Sequence, residues 1–243
     1  MKPYTDNRPK TPQIREMFDR IAPAYDRLNH LLSLGIDRSW RRRTVKMLAA
    51  VRPRRVIDVA TGTGDLALAI ARRISGVRIK GVDLSPQMIE IARAKTAAAE
   101  TQGRIPADTV SYSVADVETL PFPDDSFDAA TVAFGVRNFA DIPAGLARIR
   151  QVLRPGGTLF ILEFDTPHGK IFGPLYRFYF HRVLPAVGGW ISKDRKAYRY
   201  LPRSVDEFPA PERLREIMSG AGFRECRSRA LFGGVAYIHT GKK

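Results

Sequence analysis

Two glycines, Gly62 and Gly64, follow the β-branched run Val56 to Ala60 and precede the apolar, alanine-rich stretch Leu66 to Ile74. A strand, a glycine turn and a helix in that order bring a sharply bent backbone and the unpaired amides of a helix start into one crevice, where a ligand can approach closely. Asp83 closes the next apolar run, Ile79 to Asp83, 21 residues beyond Gly62. A carboxylate at that spacing reaches the two hydroxyls of a ribose, and NAD and S-adenosylmethionine both satisfy the arrangement. Asp116 after a third run, and Leu120-Pro121-Phe122-Pro123-Asp124-Asp125-Ser126-Phe127-Asp128 leading into a fourth, favour the second ligand. A dinucleotide needs room there for its other phosphate-bearing half, whereas a carboxylate and an apolar clamp suit a free adenine ring.

The elements that must position these residues alternate. Strands are expected at about 55–60, 78–83, 109–115, 127–133 and 157–164, with helices at about 64–74, 86–99 and 141–153 between them. Pro86 behind Ser85 is a helix-start signal, and Arg154-Pro155-Gly156-Gly157 stops one helix and turns into the next strand. That rhythm means an α/β fold with a mostly parallel sheet covered on both faces. Ahead of it, Ile14, Met17, Phe18 and Ile21 make a helical apolar face that Pro23 interrupts, Leu28, Leu31 and Leu32 begin a second, and Trp40 lies among Arg41, Arg42 and Arg43. These read as cover helices. Behind the core a helix at about 210–220 is followed by strands near 223–230 and 233–240. The whole is one domain: cover helices over 1–53, a ligand-binding core over 54–164, a lid or membrane-facing insertion over 165–205, and a closing helix and strands over 206–243.

With 243 residues the chain can bury one substantial α/β core. The single Cys226 excludes an intramolecular disulfide framework, the four histidines show no metal-ligand spacing, and no metal is expected. Met1 to Thr11 is polar and proline-containing, which reads as a loose tail without a secretory signal and suits a cytoplasmic protein. The net charge of +15 is unevenly divided: residues 1–55 carry +9, residues 167–243 carry +9, and the middle carries −3. Basic flanks of that size point to an anionic partner, a nucleic acid or a membrane surface.

Residues 54–164 resemble the class I S-adenosylmethionine-dependent methyltransferases. The resemblance rests on the glycine turn, Asp83, Asp116-Val117, the Leu-Pro-Phe-Pro run and Leu153-Arg154-Pro155-Gly156-Gly157 taken together. It implies a single Rossmann-like, doubly wound sheet of seven strands, the last antiparallel, with S-adenosylmethionine as cofactor. It also implies cofactor contacts from Ala60, Thr61, Gly62, Thr63, Gly64, Asp83, Leu84, Asp116, Val117 and Ala133. Ala60 stands where many members have the first glycine, and alanine fits a strand end.

The flanks resemble a narrower group, the quinone-biosynthesis C-methyltransferases that methylate prenylated benzoquinols or naphthoquinols. Matching segments are Met17-Phe18-Asp19, Ala22-Pro23-Ala24-Tyr25-Asp26, Asn29 to Gly35 and Trp40-Arg41 near the start. Further on come Phe134-Gly135-Val136-Arg137-Asn138, Leu162-Glu163-Phe164, His181 with Val183-Leu184-Pro185, and Tyr198-Arg199-Tyr200-Leu201. Ala133 replaces a serine often found before the Phe-Gly run. Methylation of an aromatic carbon needs an electron-rich ring, and a phenolate is far more nucleophilic than a phenol. On this resemblance Arg137 stabilises the phenolate by charge. The proton goes to His181, to Tyr25 with Asp26, or to a water held by Arg137, while Phe134, Asn138 and Glu163 face the substrate.

The stretch Ile171 to Trp190 gathers Phe172, Tyr176, Phe178, Tyr179 and Phe180 beside Arg177, His181 and Arg182, and Pro174 and Pro185 forbid a lipid-spanning helix. Such a segment suits the headgroup boundary of an anionic membrane, a substrate lid, or the surface of a homodimer. A peripheral location at the inner face of the cytoplasmic membrane would bring the enzyme to a prenylated quinol. Two alternatives share the fold: a methyltransferase acting on RNA or another small molecule, and a non-catalytic cofactor-binding module. No appended nucleic-acid module, Asn-Pro-Pro-Tyr motif or paired cysteines accompany the first, so no nucleic acid is expected as partner.

Overall fold

The structure, a computed structural model, describes residues 2–4, 6–33, 35–166 and 195–243. Its centre is a seven-stranded sheet of β1 (Arg55–Val59), β2 (Arg78–Asp83), β3 (Val110–Val114), β4 (Phe127–Ala133), β5 (Leu153–Phe164), β6 (Arg224–Leu231) and β7 (Ala236–Lys242). The order is β3-β2-β1-β4-β5-β7-β6. All pairings from β3 to β5 are parallel, and β7 is antiparallel to both β5 and β6. The chain leaves β1 in one direction to build β2 and β3 and returns to build β4 and β5, so the strand order reverses beside β1. The crevice above the carboxyl ends of β1 and β4 is therefore where such sheets take ligands.

Both faces of the central strands β1, β4 and β5 are buried, which is why they read as near-continuous apolar runs, whereas the edge strand β6 is mostly exposed. One layer packs Ile57, Val59, Val132 and Ile161 against Leu146 and Ile149 of α5 (Ile142–Val152) and Leu214 and Met218 of a later helix, Pro211–Gly220. The other packs Val56, Ile79 and Phe160 against α3 (Asp65–Arg73), α4 (Pro86–Thr101) and Leu48 of α2 (Ile36–Ala50). The start signal at Ser85-Pro86 acts as read, with Ser85 Oγ accepting the Met88 N–H at 3.1 Å and Pro86 in the first turn; the structure adds a second cap at α5, where Asp141 Oδ1 accepts the Ala144 N–H at 2.9 Å.

Three sequence expectations need correction. Pro23 does not end a helix, because α1 runs unbroken over Lys10–Leu32. Ile21 and Ala22 are buried on one side of the proline and Ala24 and Tyr25 pack on the other, so burial on a common surface outweighs the missing hydrogen bond. The initial tail is not loose over its described residues: the buried Gln13 side chain accepts the Tyr4 N–H at 2.9 Å and donates to Asp6 Oδ1 at 2.8 Å and the Arg8 carbonyl at 2.9 Å. Finally, Arg154-Pro155-Gly156-Gly157 is not a separate turn. It forms a bulge inside β5, where Leu153 pairs with Phe127 and the ladder resumes at Thr158 opposite Ala129.

The remaining described helices are α6 (Arg195–Asp206) and α7 (Pro211–Gly220). Most of the expected insertion, residues 167–194 with His181, lies outside the described residues. Among the described residues no helix is long and apolar enough to cross a membrane.

Candidate active site

A cavity of about 700 Å³, counting its open mouth, lies over the carboxyl ends of β1 to β4. Each strand end contributes: Val59 ends β1 with Ala60 and Gly62 beyond it, Asp83 ends β2 with Leu84 beyond it, Ala115, Asp116 and Val117 follow β3, and Ala133 ends β4 with Phe134 and Gly135 beyond it. Tyr25 and Asn138 complete the expected residues on the wall.

Asp83 is the pivot. Its Oδ2 accepts the Gly62 N–H at 2.8 Å and its Oδ1 accepts the Ser85 N–H at 2.9 Å, so the carboxylate braces the glycine turn and the start of α4 together. Each oxygen keeps a lone pair for a ligand hydroxyl. The residue lines the cavity, and burial pushes its pKa up to about 6 against the pull of the backbone amides. Asp116 lines the far wall, with Oδ1 accepting the Glu118 N–H at 3.1 Å. Two adjacent acceptors, a bent glycine backbone and apolar side chains from Leu84, Met88 and Val117 fit a ribose carrying an adenine ring.

Ala60 corrects the expectation that alanine sits there as in a strand. Its φ is +52°, the left-handed region in which a Cβ costs roughly 1–2 kcal/mol. Phe134, across the crevice, has φ +58°. The two strained residues meet around Gly135, where an added Cβ would stand 2.6 Å from the Ala60 methyl. Strain held in place by surrounding structure is characteristic of ligand sites.

Several expected residues sit behind the wall rather than on it. Thr61 donates to the buried Asp58 carboxylate at 2.6 Å, where Thr131 donates at 2.5 Å; burial lifts Asp58 to about 6. Thr63 and Gly64 are also turned inward. Thr63 Oγ1 donates to Asp26 at 2.5 Å, and Lys95 Nζ joins Asp26 at 2.7 Å to Asp65 at 2.5 Å. Asp26 is thus tied to α3 and α4, while its neighbour Tyr25 reaches the cavity edge-on to Phe18, with ring centroids 6.1 Å apart. Arg137 is 8 % exposed: its Nη1 donates to Glu163 Oε1 at 2.5 Å and the Phe134 carbonyl at 2.6 Å. Glu163 is fully buried beneath it and also accepts the Phe164 N–H at 3.0 Å; burial raises its pKa while Arg137 opposes the shift. The pair anchors the turn Val136–Asn138 from below. Phe134 stacks on Phe164 at 4.3 Å, with Arg41 and Arg137 over the two rings.

Sequence reasoning missed the roof. Thr11, Ile14 and Phe18 of α1, Met88 of α4, and Phe139 and Ala140 also line the cavity. The apolar face of α1 was legible, but nothing in its periodicity says that Ile14 and Phe18 meet a cavity while Met17 and Ile21 are packed in the core.

Comparison with known proteins supplies the affiliation. Residues 5–243 match the model of the ubiE/COQ5 methyltransferase family. A demethylmenaquinone methyltransferase of Thermus thermophilus is 51 % identical over 227 residues, covering 93 % of this chain and all of the relative. A ubiquinone/menaquinone biosynthesis C-methyltransferase of Geotalea daltonii is 49 % identical over 235 residues, covering 96 % of this chain and 97 % of the relative. Among solved structures, a SAM-dependent methyltransferase of Thermotoga maritima, described as a possible histamine N-methyltransferase, aligns with a TM-score of 0.64 at 21 % identity. It covers 95 % of this chain and 99 % of its own, and bears on the fold alone. With the cofactor-shaped crevice and a match running through cover helices, core and closing strands, the chain belongs to the ubiE/COQ5 methyltransferase family.

Proposed function

We propose that this chain transfers a methyl group from S-adenosylmethionine to a ring carbon of a prenylated quinol, a demethylmenaquinol or a precursor of ubiquinol. The observation that carries this is the full-length family match laid over a cavity whose polar groups suit that cofactor. When bound, the cofactor supplies a methyl group on a positively charged sulfonium, an electrophile for an electron-rich carbon.

The chain's own residues divide the remaining work. Asp83 would accept the ribose hydroxyls, and Asp116 with Val117 would flank the adenine. On the substrate side the chain must favour the ionised quinol, and hydrogen-bond donors placed before the charge is formed do this most effectively. Asn138 stands on the wall in position to donate. Arg137 lies one layer behind and is balanced by Glu163, so it supports the phenolate by holding the Asn138 turn and adding a partly compensated positive field. Of Tyr25 and Asp26, Tyr25 lines the cavity while Asp26 is held away from it by Lys95 and Thr63, so Tyr25 would take the proton as a phenolate or relay it through its hydroxyl.

A prenyl tail partitions into lipid, and the enzyme meets its substrate at an anionic bilayer surface. Arg38, Arg42, Arg43 and Lys46 are exposed along α2 and Arg227 and Arg229 along β6. Each basic side chain near such a surface contributes about 1 kcal/mol. The test is incubation of the purified protein with isotopically labelled methyl donor and the reduced forms of a demethylmenaquinone and a demethylated ubiquinone precursor, read by mass spectrometry. A labelled ring-methyl product is expected. Failure to methylate either quinol, while the cofactor binds, would overturn the assignment.

A further inference from the structure

The carboxamide of Asn138 has two opposite hydrogen-bonding ends, so a partner that fixes one fixes the other. Tyr200, from the Tyr-Arg-Tyr-Leu segment now placed in α6, directs its hydroxyl at Asn138 Oδ1 at 3.1 Å. The amide Nδ2 has no partner among the described residues and is not among the buried orphaned atoms, so it lies at an accessible surface. On the cavity wall, that surface is the cavity.

The rest of the turn is held independently. Lys10 Nζ of α1 donates to the Phe139 carbonyl at 2.6 Å and the Arg137 carbonyl at 3.1 Å, and Glu163 holds Arg137 from beneath. Rotation of the Asn138 amide is the freedom left over. Tyr200 is 5 % exposed, packed with Ile14, Met17 and Met88. Among the described residues Asn138 Oδ1 is the one acceptor within reach of this buried O–H, so a flipped amide, which would make the phenol oxygen accept from Nδ2, would leave the O–H itself without a partner; burial also pushes the phenol's pKa up to about 12, which keeps that proton in place.

We propose that Tyr200 is a positioning residue that locks the Asn138 amide with its N–H donors, not its carbonyl, facing the substrate oxygen that becomes anionic. This rests on the quinol methylation proposed above. A flipped amide would offer that oxygen a lone pair and oppose ionisation.

The experiment is a double-mutant cycle on kcat/KM for the reduced demethylquinone, with cofactor affinity measured in parallel. Tyr200→Phe is expected to lower kcat/KM about tenfold and leave cofactor affinity within about twofold. Introduced into Asn138→Ala, the same change is expected to have no further effect, since Tyr200 acts through the amide. An equal loss in both backgrounds means a merely structural phenol and overturns the proposal. Asn138→Asp keeps an oxygen for Tyr200 and turns the other toward the substrate, and it is expected to fall below Asn138→Ala; activity at or above that variant also overturns it. Absence of turnover by the unaltered enzyme would instead remove the quinol assignment itself, on which the role of Tyr200 depends.

Discussion

Replacing Asp83 by asparagine removes one of the two carboxylate charges on the cavity wall, the other being Asp116, while nearly keeping its shape. Each carboxylate oxygen already accepts one backbone N–H, from Gly62 at 2.8 Å and Ser85 at 2.9 Å, and offers one further lone pair to the ligand. Asparagine retains a single oxygen, so one ribose hydroxyl loses its acceptor, the other loses an anionic partner, and one backbone N–H faces an amide nitrogen. Hydrogen bonds to charged groups contribute about 1.5–3 kcal/mol, so the variant should lose about 2–4 kcal/mol of binding, roughly 30- to 1,000-fold in Kd. Calorimetry with S-adenosylmethionine measures it directly. An affinity within about threefold of the unaltered protein would refute the role assigned to this carboxylate.

The pH dependence separates ligand contact from loosening of the turn. Burial pushes the Asp83 pKa up to about 6, and Asp58 shifts the same way to about 6, whereas an unfolded aspartate titrates near 3.9. Between about pH 4 and 6 the folded protein therefore holds protons that the unfolded chain has released. Stability of the ligand-free protein then falls as pH rises through that window and is gained on acidification. Cofactor binding runs the other way, because the ionised carboxylate accepts the hydroxyls: affinity should be flat above pH 7 and weaken as pH falls through 6. The asparagine variant should lose most of that slope. A native affinity that strengthens on acidification would contradict the assignment.

Arg137→Ala leaves Glu163 as an uncompensated buried charge and should cost about 3–5 kcal/mol of stability. Adding Glu163→Gln should restore most of that in urea titrations while turnover stays orders of magnitude low; recovery of turnover would dismiss a catalytic contribution from the arginine. Gly135→Ala drives a Cβ to 2.6 Å from the Ala60 methyl and should destabilise by about 1–3 kcal/mol, whereas Ala60→Gly removes both the methyl and the φ +52° strain. The double variant should recover most of the loss, and simple additivity in the thermal midpoint would refute the contact. Lys10→Met keeps the stem but orphans the Arg137 and Phe139 carbonyls, and should cost about 2–3 kcal/mol; a change under about 0.5 kcal/mol would show that α1 does not clasp this turn.

Whether a residue was legible in the sequence depended on how local its cause is. Asp83 could be placed because strand alternation and a fixed spacing put it at a strand end, and Ser85-Pro86 because capping is settled within one turn of chain. The mostly parallel sheet covered on both faces followed from the alternation of strands and helices, while its doubly wound order came with the family resemblance and not from the alternation. Side-chain direction beyond the strand ends was not legible, because it is set by contacts distant in sequence. Glu163 claims the guanidinium of Arg137 across 26 residues, and Lys95 claims Asp26 across 69, so groups expected at the substrate are engaged before a ligand arrives. The same holds for Ala60. Nothing about an alanine at a strand end announces a positive φ; the angle is imposed by the turn that must carry Gly62 to Asp83, and room for the methyl is made by Gly135, 75 residues away. Residues that line the crevice were legible because each strand end carries them individually. The contacts that hold the three-residue turn Val136–Asn138 were not, because Tyr200, Lys10 and Glu163 reach it from distant parts of the sequence and only the fold assembles them.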